Sequence, residues 1–218
     1  MNHPLATAAA EWDRRWQAEE GRADWLEPER DVIATAEACH AAGGRVALDI
    51  GCGIGRHALA LASLGYRVIG IDGSGSGLAY AARDAERHGL SIDFQEGSML
   101  SLPMADASCD YVLAWNVIYH GNRDVVDQCV AEIARVLKPG GTYQGTMLSK
   151  RNRNFRVGRE VALDTFVIDA ISDKAHPHFY CDARTLTEIF KGFEPLSLID
   201  REHREPGTWH WHLVATRS

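Results

Sequence analysis

Asp49 and Asp72 each close a short apolar run, and between them stands the glycine-bearing stretch LDIGCGIGR, residues 48–56. A strand that ends in a carboxylate, beside backbone that glycine lets a ligand approach closely, is a binding arrangement, and the residue types restrict the ligand. A dinucleotide site needs G-x-G-x-x-G with a pyrophosphate on the following helix N-terminus. Gly51 and Gly53 fit that pattern, but Arg56 holds its sixth position and the third glycine comes one place early, at Gly55. A phosphate-cradling loop ends in Gly-Lys-Ser/Thr, which is absent here. Asp49 repels a pyrophosphate and attracts an ammonium group. Asp72 is placed to accept hydrogen bonds from both hydroxyls of a ribose. The stretch therefore asks for a nucleoside with a phosphate-free, amine-bearing tail.

These residues need elements to position them. Runs rich in Val, Ile and Leu alternate with helical patterns, which predicts strands at 45–50, 67–72, 91–95, 109–115 and 142–148 and helices at about 55–64, 75–88, 123–137 and 183–191. The third helix is predicted to stop at Leu137-Lys138-Pro139-Gly140-Gly141. Two more strands, 195–203 and 208–216, joined by a turn at 204–207, form an antiparallel hairpin. The expected fold is α/β, a Rossmann-like, mostly parallel sheet with an antiparallel C-terminal hairpin and helices on both faces, in one domain. Residues 1–40, with Trp12, Trp16 and Trp25, read as a helical lead-in, and 149–180 as an insertion; both are expected to cover the ligand crevice. Ligands of such sheets collect beyond the carboxyl ends of the parallel strands, so the loops after 50, 72, 115 and 148 and the 204–207 turn face one crevice.

S-adenosylmethionine (SAM) has both the amine and the ribose. LDIGCGIGRHALALASLGYRVIGIDGS, SLPMADASCDYVLAWNVIYH and EIARVLKPGGTY, in that order within about residues 45–148, resemble the motifs of the class I SAM-dependent methyltransferases. The resemblance implies a seven-stranded sheet, SAM as cofactor, its methionine part against the backbone of Gly51 and Gly53, and its ribose on Asp72. Cys52, a small filler of the loop rather than a nucleophile, and Gly73 join this set. Such proteins often carry Gly-Asp where this chain has Gly97-Ser98, which leaves the adenine amine to Ser98 or another group and Met99 to flank the ring. Trp115 and Asn116, after the fourth strand, complete the expected cofactor residues. Members that methylate amino groups of nucleic acids place Asn/Asp-Pro-Pro-aromatic there. Trp115-Asn116-Val117-Ile118 departs from it and argues for a small-molecule acceptor. The C-terminal segment and the opening Trp12-Asp13-Arg14-Arg15-Trp16 resemble members associated with tellurite resistance, thiols and quinone precursors. A nicotinamide-dependent oxidoreductase on a related sheet and a SAM-binding protein without transferase activity are the alternative readings.

The acceptor is sought among histidines, five of which lie in the last part of the chain: His176, His178, His203, His210 and His212. His178 in the insertion, Tyr119 and His120 beyond strand four, and His210 and His212 on the last strand are predicted to converge on it. Three imidazoles suffice for a transition-metal site. A metal-free pocket, in which one neutral imidazole positions or takes a proton, is the expected arrangement, because methyl transfer needs no Lewis acid and no helical H-x-x-x-H spacing presets ligands. A thiol or chalcogen acceptor needs little base assistance, whereas a phenol or amine wants a histidine. The basic run Lys150, Arg151, Arg153, Arg156 and Arg159 reads as a solvated face, with an anion site as its alternative.

A formal net charge of −7 and a pI near 5.8 argue against a protein that holds nucleic acid through phosphate neutralisation. The five cysteines form no C-x-x-C pair, which fits reduced thiols in a cytoplasm better than a zinc knot or a disulfide framework. No stretch of about 18 apolar residues suggests a membrane span, and the N-terminus does not read as a signal peptide. A cytoplasmic monomer or homodimer is expected.

Overall fold

Five parallel strands form the centre: β1 (Val46–Ile50), β2 (Arg67–Asp72), β3 (Ile92–Glu96), β4 (Cys109–Ala114) and β5 (Leu137–Ser149), side by side in the order β3-β2-β1-β4-β5. The computed structural model describes residues 6–169 and 174–218. Helices cover both faces: α1 (Ala6–Gln17), α2 (Glu19–Arg22) and α3 (Arg30–Ala41) from the lead-in, then α4 (Arg56–Ser63), α5 (Gly75–Arg87), α6 (Arg123–Val136) and α7 (Ala183–Ile189). Alternation along each strand divides the core. Ala47, Tyr111, Leu113 and Trp115 pack with Val32 and Ala36 of α3 and Ala58 and Leu61 of α4, while Leu48, Ile50, Val112 and Ala114 pack with Val126, Cys129 and Ile133 of α6. Both faces being buried is why these strands read as continuous apolar runs.

The helices begin where the sequence supplies caps. Ser74 Oγ accepts from Gly77 N at 3.0 Å, Asn122 Oδ1 from Val125 N at 3.2 Å and Asp182 Oδ1 from Thr185 N at 2.9 Å. Helix α6 ends at Val136 as predicted. The strand after it starts earlier than predicted, because Leu137 already pairs with Cys109 while the register jumps to Thr142 opposite Tyr111. Lys138-Pro139-Gly140-Gly141 bulges out between these pairs.

The hairpin of β9 (Phe193–Glu202) and β10 (Trp209–Arg217) is antiparallel, and β10 lies against β5 with His210 opposite Leu148. This completes the seven-stranded core, β3-β2-β1-β4-β5-β10-β9. The insertion adds what the sequence pattern did not show: β6 (Arg159–Ala162), β7 (Thr165–Val167) and β8 (His178–Cys181). Strands of four and three residues are too short to display alternation. β8 pairs in parallel with Leu148 and Ser149 of β5. Leu148 has β10 on its other edge, so β8 occupies the edge that β4 vacates after Ala114, directly beyond the carboxyl end of the central strand. Backbone bonds from Phe179 N to Tyr119 O and from Gly121 N to Pro177 O, both 2.9 Å, fasten the β4–α6 loop to it.

The basic run lies at the surface, with Arg151, Arg153, Arg156 and Arg159 exposed, and is tied to neighbouring groups there. Lys150 pairs with Asp164 and Asp182, Arg153 with Glu205, and Arg151 stacks 3.4 Å over Trp209, so these residues offer no open positive patch. All five cysteines are free thiols, and among the described residues no helix is long and apolar enough to cross a membrane.

Candidate active site

The carboxyl ends of β1, β2 and β4 open onto a cavity of about 350 Å³, within the ~300–1,000 Å³ usual for small-molecule sites. Of the residues predicted to hold a cofactor, Gly51, Cys52, Gly53, Asp72, Gly73, Ser98, Met99, Trp115 and Asn116 line it. The β1–α4 loop owes its path to glycine. Gly51 (φ +64°) and Gly53 (φ +54°) are left-handed, and a Cβ at Gly51 would meet Val117 at 2.4 Å. Asp72 ties this loop to the next, its Oδ2 accepting from Gly53 N at 2.7 Å and its Oδ1 from Ser74 N at 2.8 Å. The β3–β4 loop, which carries Ser98 and Met99, is anchored by α6. Glu132 accepts from Leu102 N at 2.7 Å and Arg135 donates to Met104 O at 2.7 Å.

Asp49 lies beneath the loop rather than on the wall, 2% exposed, with Oδ2 buried and without a hydrogen-bond partner. Burial pushes its pKa up to about 7 against the opposing charge of Arg56. Such a group gains from a positive ligand above it. A loop whose backbone has room for no Cβ at Gly51, over an unsatisfied carboxylate, fits the amine-bearing tail of SAM.

Packed against the loops, with Trp16 beside Gly53 and Gly77, the lead-in forms an aromatic wall. Trp12 stacks on Trp16 with centroids 5.0 Å apart, and Trp25 meets both edge-on at 5.3 and 5.8 Å. Helix α1 is fastened by Asp13, whose Oδ1 accepts from Ser76 N at 2.9 Å and from the Ser74 and Ser76 hydroxyls at 2.8 Å; these bonds hold its pKa below the usual carboxylate value. The β9–β10 turn reaches the same wall, with Arg204 donating to Asp24 O at 2.8 Å and stacking 4.5 Å over Trp25. Arg56 and His57, neither among the predicted site residues, complete it. Their signal was only their place directly after the glycine loop.

Of the residues predicted to serve the acceptor, His120 lines the cavity. Tyr119, His178 and His210 form the layer behind it, the Tyr119 ring lying 4.8, 6.0 and 5.9 Å from those of His120, His178 and His210. His212 stands apart from them, edge-on to Trp115 at 5.2 Å. His176 meets His120, Nε2 to Nδ1, at 2.8 Å. Asn116, at φ +61°, joins the two groups: its Nδ2 donates to His203 Nε2 at 3.1 Å and its Oδ1 accepts from Thr146 Oγ1 at 2.9 Å. Burial lowers the pKa of His57, His120 and His178 far below the usual imidazole value and takes His210 and His212 to about 4. These rings are neutral near pH 7.

Residues 47–141, which contain the glycine loop, Asp72 and the β4 end, match the family model described as a methyltransferase domain. The chain is 34% identical over 140 residues to a probable S-adenosylmethionine-dependent methyltransferase of Mycolicibacterium smegmatis, covering 63% of this chain and 50% of that one. Over residues 47–141 the chain carries a methyltransferase domain. SAM is the cofactor of that domain. A second relative, a sterol 24-C-methyltransferase of Saccharomyces cerevisiae, is 31% identical over 180 residues, covering 78% of this chain and 45% of the relative. The chain thus spans about half the length of the curated relatives it matches. In architecture it is similar to the PH0226 protein of Pyrococcus horikoshii, with a TM-score of 0.72 and 19% identity over 93% of both chains.

Proposed function

We propose that the protein transfers a methyl group to a small, flat or apolar molecule that presents a thiol or phenol. The observation that carries this is one cavity that brings the glycine loop and Asp72 together with the tryptophan wall and His120. When bound, SAM supplies an electrophilic methyl on a sulfonium. Asp72 would hold the ribose, Asp49 would face the positive tail from beneath, and Ser98 and Met99 would border the adenine. Trp12, Trp16 and Trp25 would exclude water and align the acceptor, which is most of what an in-line displacement asks of a protein.

The choice among nucleophiles rests on hydrogen bonding. Arg56 on the wall is already paired with Glu29, whereas the indole N–H groups of Trp16, Trp25 and Trp115 are buried without a protein partner. Unpaired donors favour an acceptor that arrives as a thiolate or phenolate and disfavour an ammonium, which offers them no acceptor atom. His120, held neutral, borders the space where the acceptor would lie and adds no charge to it. With labelled SAM and a panel of aromatic thiols, phenols and amines, thiols or phenols should be methylated, and Trp25→Ala should raise KM for them at least tenfold. Transfer to none of them, or to amines alone, would overturn the reading.

Asp49 makes the cofactor step pH-dependent. Its folded, ligand-free pKa is about 7. A positive ligand stabilises the ionised carboxylate, so binding releases a proton and affinity falls as pH drops below that value, by at most ~10-fold per pH unit. Wild-type SAM affinity should rise between pH 5 and 7 and then level, whereas Asp49→Asn should bind more weakly with a flat profile. A flat wild-type profile would remove Asp49 from the cofactor site.

A further inference from the structure

We propose that His120, His176 and His178 form a binding site for a divalent first-row transition-metal ion at the acceptor end of the cavity. The inference stands on the imidazoles and holds whichever acceptor is methylated. One nitrogen from each ring lies within 4.8 Å of the other two, and all three residues are buried, at 9%, 2% and 1% exposure.

The outer nitrogens determine which way the lone pairs face. His120 Nε2 lies 3.2 Å from Asn116 O, and His178 Nδ1 lies 2.8 Å from His176 O. A carbonyl oxygen only accepts, so those two nitrogens carry the protons, and His120 Nδ1 and His178 Nε2 present lone pairs to the cluster. A backbone carbonyl holding the far nitrogen is the usual way a metal-ligating histidine is fixed in tautomer and orientation. His178 Nε2 is moreover buried with no hydrogen-bond partner, a situation that is costly unless something fills it. Burial keeps His120 and His178 neutral, as ligation requires.

The spacing suits an ion. Tetrahedral ligation at ~2.0–2.1 Å separates ligand nitrogens by roughly 3.3 Å. The three nitrogens bracket that value, from the 2.8 Å contact between His176 and His120 up to the 4.8 Å limit of the group. Small ring rotations bring them onto it, and the His176 proton now directed at His120 passes from Nε2 to Nδ1, so the ring stays neutral and turns a lone pair to the ion. A neutral, all-nitrogen set suits zinc, cobalt, nickel or copper and not magnesium or calcium. Because no carboxylate belongs to the set, the ion keeps its charge, and an anion is the expected fourth ligand: hydroxide, or an acceptor thiolate or phenolate. The ion would also bind the β4–α6 loop to the insertion, since His120 and His178 already form a β-bridge. The expectation of a metal-free pocket looked for ligands one helical turn apart. Here a loop and a strand supply them instead.

The test is metal titration of the full-length protein after chelator treatment, read by cobalt(II) absorption and by metal content after gel filtration. One cobalt or zinc per chain should bind at micromolar concentration or tighter, with the intense visible bands of a tetrahedral site. His178→Gln and His120→Gln, checked for folding by circular dichroism, should each weaken binding at least ~100-fold, and His212→Gln should not. If a cluster variant fails to fold, the wild-type spectrum decides. A weak octahedral spectrum, no stoichiometric binding, or binding indifferent to His120 and His178 would overturn the site. None of these readouts depends on methyl transfer, so failure of either proposal leaves the other standing.

Discussion

Replacing Asp72 by alanine is expected to weaken SAM binding about 10- to 150-fold, the equivalent of ~1.5–3 kcal/mol for hydrogen bonds to a charged group. The carboxylate closes β2, and each oxygen already accepts one backbone N–H, from Gly53 and from Ser74. These bonds fix its plane and leave a further lone pair on each oxygen for a ribose hydroxyl. Alanine would also untie the two loops from each other, which places the loss at the upper end of the range. Asp72→Asn keeps the shape but turns an N–H toward a backbone N–H, so it should bind little better than alanine. Calorimetry giving wild-type affinity for either variant would contradict the assignment.

Acid should unfold the protein early. Burial is the first cause of the low pKa values of His203, near 2, and of His210 and His212, near 4. The folded values lie below the ordinary 6.5, so the neutral rings contribute their full stability above about pH 6.5 and lose it as pH falls toward 4. His210 and His212 would each lose ~3 kcal/mol by pH 4, together a large part of the ~5–15 kcal/mol typical of a domain. Asp49, raised to about 7, and Asp72 and Asp200, raised by burial, work in the opposite direction, but against six histidines, because burial lowers His57, His120 and His178 as well. Thermal melts should show Tm falling steeply between pH 6.5 and 4.5, and less steeply in the double variant His210→Asn/His212→Asn. A Tm unchanged across that range would show that these rings are solvated.

The parts of the site that were legible in the sequence are those set by one strand and its next turn. Asp49 and Asp72 end apolar runs that could only be buried strands, and the glycines after Asp49 follow from the tight path of the loop, so their place needed no tertiary information. The tryptophans of the lead-in were visible as apolar surplus, and they line the cavity. What was not legible depends on contacts between distant segments. Asp13 looks like a surface acid until Ser74 and Ser76 are set beside it. His120 and His178 were expected to converge and do, but the part of His176 follows from β8 taking the edge left by β4, and strands as short as β6 and β7 leave no periodic trace. The basic run from Lys150 was legible in composition but not in consequence, because its partners, such as Asp164 and Glu205, are fixed only by the folded insertion and hairpin.

The central claim is that one cavity holds the cofactor on the glycine loop and turns its reacting centre toward the tryptophan and histidine wall. A crystal structure with S-adenosylhomocysteine tests this most directly. The account predicts the ribose hydroxyls on Asp72, the amine above Asp49, and the sulfur facing the space between Trp25, Trp115 and His120. A nucleoside bound elsewhere, or a sulfur turned away from that wall, would contradict it.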